Sequence, residues 1–204
     1  MARPKKTETQ LAEMRKRILD AAYELLKEQG HPGLTSRAIA DRLGVAHMGL
    51  YTYFPNQAAI LHALSEREFG KIQTKQQKIE QLAESQNIVD VMRTALAFFP
   101  QFEKKNPDVY HLAWMIPLTA VDNIAHAQMR AQSNVQHLAR LIEIGINQGV
   151  FEKRDPWLAA AAVFGMINTP LILFHSGRLA SAAMRDKLVA EMLDAAIRYL
   201  AKNT

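Results

Sequence analysis

Three groups of hydrogen-bonding side chains stand close together in the run LTSRAIADRLGVAHMGLYTYF, residues 34–54: Thr35-Ser36-Arg37, then His47-Met48-Gly49, then Tyr51 and Tyr53. Hydroxyls, a guanidinium and an imidazole donate to phosphate oxygens and to base edges. Carboxylates, which phosphate repels, are scarce: Asp41 is the single acid in the run and is placed on the far side of its helix. The chemistry on offer is binding, not bond-breaking. No Ser/His/Asp order, phosphate-cradling glycine loop or HExxH occurs, and Asp20, Glu24 and Glu28 form a solvated helix face. His126 and His137 lie three helical turns apart, too far to share a metal, and there is no cysteine. No enzyme activity, metal or cofactor is expected.

Two short helices must position these groups. After Thr35, whose hydroxyl can cap a helix, Ala38, Ile39 and Leu43 repeat at helical spacing until Gly44. A second short helix follows, with Leu50 and Phe54 on one face and His47 and Tyr51 on another. Helices joined by a tight glycine turn make the helix-turn-helix pattern, whose second helix enters the major groove while the first crosses the backbone. Ala38, Ile39, Leu43, Val45, Leu50 and Phe54 would clamp the pair from within, leaving Thr35, Ser36, Arg37, His47, Met48, Gly49, Tyr51 and Thr52 outward. A longer helix over Glu8–Gln29 precedes them, with Leu11, Met14, Ile18, Ala22 and Leu25 inward and Gly30 as its stop. Taken singly, Tyr51 and Tyr53 would be half-buried core aromatics and His47 an ordinary exposed histidine; the surrounding pattern favours DNA contact.

The rest of the chain reads as helix: Gln57–Ala83, Ile88–Lys105 bent at Pro100, Pro107–Ile116, Pro117–Gln148, Trp157–His175 kinked at Pro170, and a last one over about 180–201. About nine helices make the fold all-α. Residues 1–56 form an N-terminal arm and helix-turn-helix DNA-binding domain, and 57–204 a helical ligand-binding and dimerisation domain. On the last helix Met184, Leu188, Met192, Ala195 and Tyr199 form one apolar stripe, and Val189, Leu193, Ala196 and Leu200 a second. One stripe suffices to dock a helix on its own core, so two predict a homodimer through a four-helix contact.

The formal net charge is +5, and residues 1–60 carry nine Lys/Arg against six Asp/Glu. A basic start on a near-neutral body suggests an anionic partner at one end, although solubility alone would also account for it. The opening MARPKKTETQ lacks the apolar core of a secretory signal. The most apolar window, 157–174, is interrupted by Asn168-Thr169-Pro170 and reads as a buried helix, not a membrane span. A cysteine-free chain fits the reducing cytoplasm.

The run LTSRAIADRLGV…LYTYF, preceded by RKRILDAAYELLKEQG, closely resembles the DNA-binding domain of the tetracycline-repressor (TetR/AcrR) family over about residues 15–61. The resemblance implies a contact scheme. Thr35 and Ser36 would hold phosphate at a helix start, and Arg37 would read a base or bind phosphate. His47, Met48 and Gly49 would read bases, while Tyr51 and Tyr53 would bind phosphate. Lys5 and Lys6, in the arm, would add a flexible backbone or minor-groove contact. There are departures. Gln57 stands where a phosphate-binding Lys is common, Ala46 replaces a frequent Ser/Thr cap, and Gly49 costs roughly 1 kcal/mol inside a helix. The family further implies a repressor that a small molecule releases from double-stranded operator DNA, with half-sites ~34–36 Å apart or a multiple. A helical interaction protein using the helix-turn-helix as scaffold is the alternative, and a helical enzyme a distant third.

The body is rich in large soft side chains, among them Phe98, Phe102, Trp114, Met115 and Met166. Each alone is plain core. Polar residues embedded among them, Tyr110, His111, Asn123, Asn168 and Thr169, favour a pocket for an apolar or amphipathic effector, because buried polar groups need partners. Pro170 adds a helical carbonyl without its usual donor, making Asn168-Thr169 the best single anchor.

Overall fold

The computed structural model describes residues 7–115 and 124–202. These hold nine helices: α1 (Glu8–Gly33), α2 (Ser36–Leu43), a 3-10 helix (His47–Thr52, hereafter the recognition helix), α3 (Gln57–Leu82), α4 (Ile88–Lys105), α5 (Pro107–Met115), α6 (Ile124–Asn147), α7 (Pro156–His175) and α8 (Ala182–Leu200). Among the described residues the one β pairing is an isolated bridge between Phe151 and Ala201. The fold is all-α, as the sequence pattern predicts.

Local chemistry sets the helix ends near the expected positions. Thr7 and Gln10 form a reciprocal capping box at the start of α1. Gly30, at φ 66°, interrupts that helix in a conformation that only glycine adopts readily, and one further turn carries the chain to Gly33. Thr35 caps α2 by accepting from the Ala38 N–H at 3.1 Å, and Gly44 closes it left-handed. α4 and α7 both continue through their internal prolines, Pro100 and Pro170.

The recognition helix differs from expectation. It is six residues of 3-10 helix, where side-chain spacing suggested α. Ala46 supplies no capping side chain, and Gly49 weakens a helix that ends three residues before Pro55. So short a segment settles into the tighter winding.

Two apolar cores share α3. Near the amino terminus, Ile18, Ala22 and Leu26 of α1 meet Ile39 of α2, Leu50 of the recognition helix, and Ile60 and Leu64 of α3. The body core joins Met92 and Leu96 of α4, Leu138 and Ile142 of α6, Val163 and Ile167 of α7, and Ala196 and Leu200 of α8. α7 is long and apolar enough to cross a bilayer, yet it packs against α4, α6 and α8. The turn after α6 is held by Phe151, whose ring lies where a side chain on Gly145 would stand. The Glu152 N–H donates to the Leu200 carbonyl beside it, at 2.9 Å.

α3 is tied to both cores by polar contacts. Arg67 pairs with Asp20 of α1 at 2.6 Å. Further along, Gln76 donates to Asn134 of α6 at 2.9 Å, and Glu80 meets His137 and Arg140. A rotation of α3 therefore moves the first core relative to the second.

Candidate nucleic-acid interface

α2 and the recognition helix present their polar edge outward because Ile39 and Leu50, fully buried, hold the other edge against α1 and α3. Thr35, Arg37, His47 and Thr52 are exposed, and Met48 is 71% exposed, the largest value among the apolar residues on the surface. Tyr51 is half-buried, and its hydroxyl lies 3.3 Å from His47 Nε2 with the two rings edge to face. A methyl group added at Gly49 would meet nothing within 4 Å. Internal packing therefore does not require this glycine, and the space in front of it is open to a duplex edge.

Of the residues expected to contact DNA, Ser36, read as outward, is buried, and Gln57 and Tyr53 are engaged within the fold. Ser36 is 4% exposed; it sits at the first position of α2, turned toward the start of α3, where its hydroxyl lies 3.4 Å from Gln57 Oε1. Gln57 in turn donates to the Leu34 carbonyl at 2.9 Å, which ties the α2 start to α3 and commits one of its amide donors internally. Tyr53 is 7% exposed and belongs to the first core, because the tight winding of the recognition helix brings it round beside Leu50 and Phe54. Lys5 and Lys6 lie outside the described residues.

Sequence reasoning passed over Arg15. Its Nε donates to the Tyr53 carbonyl at 3.0 Å and its guanidinium lies over the Phe54 ring, so a cation stands at the carboxyl end of the recognition helix. The triplet Arg15-Lys16-Arg17 was the available signal. Arg42, by contrast, is engaged: it pairs with Glu28 of α1 and holds that carboxyl below the usual range. Lys16, Arg17 and Arg37 are exposed with no ion-pair partner among the described residues.

In the body, the expected effector residues separate. Tyr110 is fully buried and donates to Asn168 Oδ1 at 3.1 Å; burial, aided by the nearby Glu103 carboxylate, pushes its hydroxyl pKa upward, so it remains a donor. Trp114 stacks against Tyr110, and His111 lies between His31 and His175. Asn168 gives its amide to the Phe164 carbonyl. Thr169 points away from this group to the exposed side of α7 and bonds the Gly165 carbonyl, because adjacent helical residues diverge by about 100°. The Asn168-Thr169 anchor is thus consumed by its own helix. Met166 packs against the body core. The side chain of Met115 and the whole of Asn123 lie outside the described residues.

Phe98 and Phe102 lie elsewhere. Their rings stack at 6.4 Å and face a cleft of about 420 Å³ between α1, α3 and α4. Deeper in the body, beside Tyr110, His175 and Arg185 both meet Glu103 Oε1, at 2.8 and 2.9 Å, in a buried cluster that no sequence spacing announced. The second Glu103 oxygen has no hydrogen-bond partner there. Among the described residues no three potential ligands gather as a metal site.

Residues 18–64 match the family described as bacterial regulatory proteins, tetR family. The transcriptional repressor KstR of Mycobacterium tuberculosis is 43% identical over 63 residues, which cover 31% of this chain and 29% of that protein. The match thus spans about three tenths of the length of that curated relative. Among solved structures, the regulator FadR from Bacillus subtilis in complex with stearoyl-CoA superposes with a TM-score of 0.70 at 18% identity, covering 91% of this chain and 98% of that one. A structure from Saccharomonospora viridis in complex with choline gives 0.68 at 20% identity, with coverage of 94% and 100%. One bound molecule is acylated coenzyme A and the other a small cation, so likeness of fold leaves the ligand to each chain's own residues.

Proposed function

Because residues 18–64 match the tetR family of bacterial regulatory proteins, we propose that the chain is a homodimeric transcriptional regulator of that family, acting in the cytoplasm as a repressor on double-stranded operator DNA. The observation that carries this is the exposed edge of Thr35, Arg37, His47, Met48 and Tyr51, free of carboxylates and backed by buried Ile39 and Leu50. His47 and Met48 read base edges, Gly49 admits close approach, and Thr35, Arg37, Tyr51 and Arg15 hold phosphates. Ser36, Tyr53 and Gln57 act from behind, fixing the angle between α2, the recognition helix and α3.

A second copy covers the outer sides of α7 and α8. Leu158 is 67% and Met184 54% exposed, and Leu188, Met192 and Tyr199 continue the strip only half-buried while the neighbouring Ala196 and Leu200 fill the body core. Two-fold pairing there sets the spacing of two recognition helices, hence of two half-sites. A small apolar or amphipathic effector releases the DNA by favouring another spacing. Tenfold release requires the effector to bind the free form ~1.4 kcal/mol better than the DNA-bound form.

The test is binding to random-sequence duplex as salt is raised. A groove reader binds weakly and loses affinity steeply as counterions return. Tyr51→Phe should weaken binding to all sequences alike by about 1 kcal/mol, whereas His47→Ala should alter the selected site more than the affinity. Salt-independent or absent binding would instead favour a helical scaffold that meets only proteins.

A further inference from the structure

The cleft between α1, α3 and α4 has a composition the fold does not require. Its floor is apolar, made by Ile72 and the stacked rings of Phe98 and Phe102. Its edge carries Lys75 from α3 and Lys105 from the last turn of α4, both exposed and neither in an ion pair among the described residues. The acidic group in the lining, Glu68, is buried and lies 3.0 Å from the Nε of Arg67, whose other end pairs with Asp20. Tyr23 closes the side toward α1, with the charged ends of Lys27 and Arg67 near its ring. The cleft therefore sets two lysines without ion-pair partners among the described residues over an aromatic floor. At about 420 Å³ it falls in the range of small-molecule sites.

We propose that this cleft binds a small aromatic carboxylate, its ring laid on Phe98 and Phe102 and its anion held between Lys75 and Lys105, and that this ligand is an effector of the DNA-binding unit. Charge complementarity selects the class. Ammonium compounds would face two unpaired lysines, and neutral arenes would leave those lysines unused. The position supplies the consequence. α1 belongs to the first core and the buried residues of α4 to the second, Phe98 packs against both, and α3 runs between them, so a ring wedged among the three bears on how the two cores sit. The binding step stands on the cleft alone; the effector step rests on the regulator reading above.

The experiment uses the full chain with three probes of one shape: 2-naphthoate, 2-naphthylmethanol and 2-naphthylmethylammonium. Calorimetric titration should show naphthoate binding best and the ammonium compound not at all. Lys75→Gln combined with Lys105→Gln should weaken naphthoate by about tenfold or more, since two charge-assisted contacts are lost. Gln101→Trp, at an exposed lining position, should block the cleft without changing its charge. Random-duplex affinity is measured in parallel, with and without naphthoate. Naphthoate binding that survives both variants, or no binding at all by a chain that still holds DNA, overturns the site. Binding at the cleft with DNA affinity unchanged overturns the effector role. Binding at the cleft by a chain that never holds DNA sinks the regulator reading and leaves the site standing.

Discussion

The recognition edge and the Glu103 cluster both gather polar side chains from several helices, and they settle them in opposite ways. Along the recognition edge Arg37 and His47 stand in solvent, and the contacts made are local ones, Tyr51 hydroxyl to His47 and the Thr35 cap on Ala38. In the cluster, Glu103 of α4, His175 of α7 and Arg185 of α8 are bound to one another away from water, with Phe174 against the guanidinium. Donors left facing out are what an external partner uses. Donors spent on each other fix the angles between helices instead. Polarity alone therefore does not mark a functional site; the decisive property is whether the groups retain capacity after folding.

The sharpest way to break this comparison is to remove one member of the cluster. Arg185→Met leaves Glu103 buried with less compensation, which should cost about 3–5 kcal/mol of stability. The double change Glu103→Leu with Arg185→Met removes both charges and should recover most of it. Thermal melts of the three proteins check this. A double variant no more stable than the single one would mean that the cluster does more than orient helices.

Next comes the wedge behind the recognition edge. Leu50 is 1% exposed, and Leu50→Ala should cost about 2–5 kcal/mol through lost burial and an unfilled cavity. DNA binding should fall with it, because the outward groups lose their backing. Hydrogen exchange should quicken in α1, α2 and the start of α3 while the body amides of α6 and α7 stay protected. Equal acceleration in both parts would show that the two cores unfold as one.

A smaller effect tests the cap. Thr35→Ala removes the hydroxyl that accepts from Ala38 and should destabilise by about 1 kcal/mol, read as a shift in urea midpoint at constant slope. If Thr35 also holds phosphate, the fall in DNA affinity should exceed what the stability loss explains.

These residues also show what could be read in advance. The helix-turn-helix unit was legible because its surface is defined by the chain's own periodicity: Ile39 and Leu50 point in, Arg37 and His47 point out, and Gly44 fixes the turn. Local spacing did not settle orientation where one residue of rotation matters. Tyr53 followed the 3-10 winding into the core, and Ser36 turned to Gln57. The body was less legible because an inward pocket and a plain core use the same residue types. Asn168 and Thr169, adjacent in sequence, diverge to opposite sides of α7, and both spend a donor on their own helix. Phe98 and Phe102 could be singled out as aromatic, but their partnership with Lys75 depends on how α3 crosses α4, which no local spacing encodes.

The smallest expected effect is a slope with pH, and it belongs to the inward kind of polar group. His137 is buried between α3 and α6; burial lowers its pKa, Glu80 partly opposes this, and Arg140 adds to it. His111 is lowered by burial and by the neighbouring His175 and His31, with Asp108 opposing. Each pKa is therefore lower folded than unfolded. In the window between those two values the unfolded chain binds more protons, so stability rises with pH there. It is fully present above the unfolded value, about 6.5, and declines as pH falls toward the folded values. Urea midpoints should thus drop between pH 7.5 and 5.5, and the drop should shrink in His137→Gln. If the slope in His137→Gln matched that of the unaltered chain, the buried imidazole would not be its source.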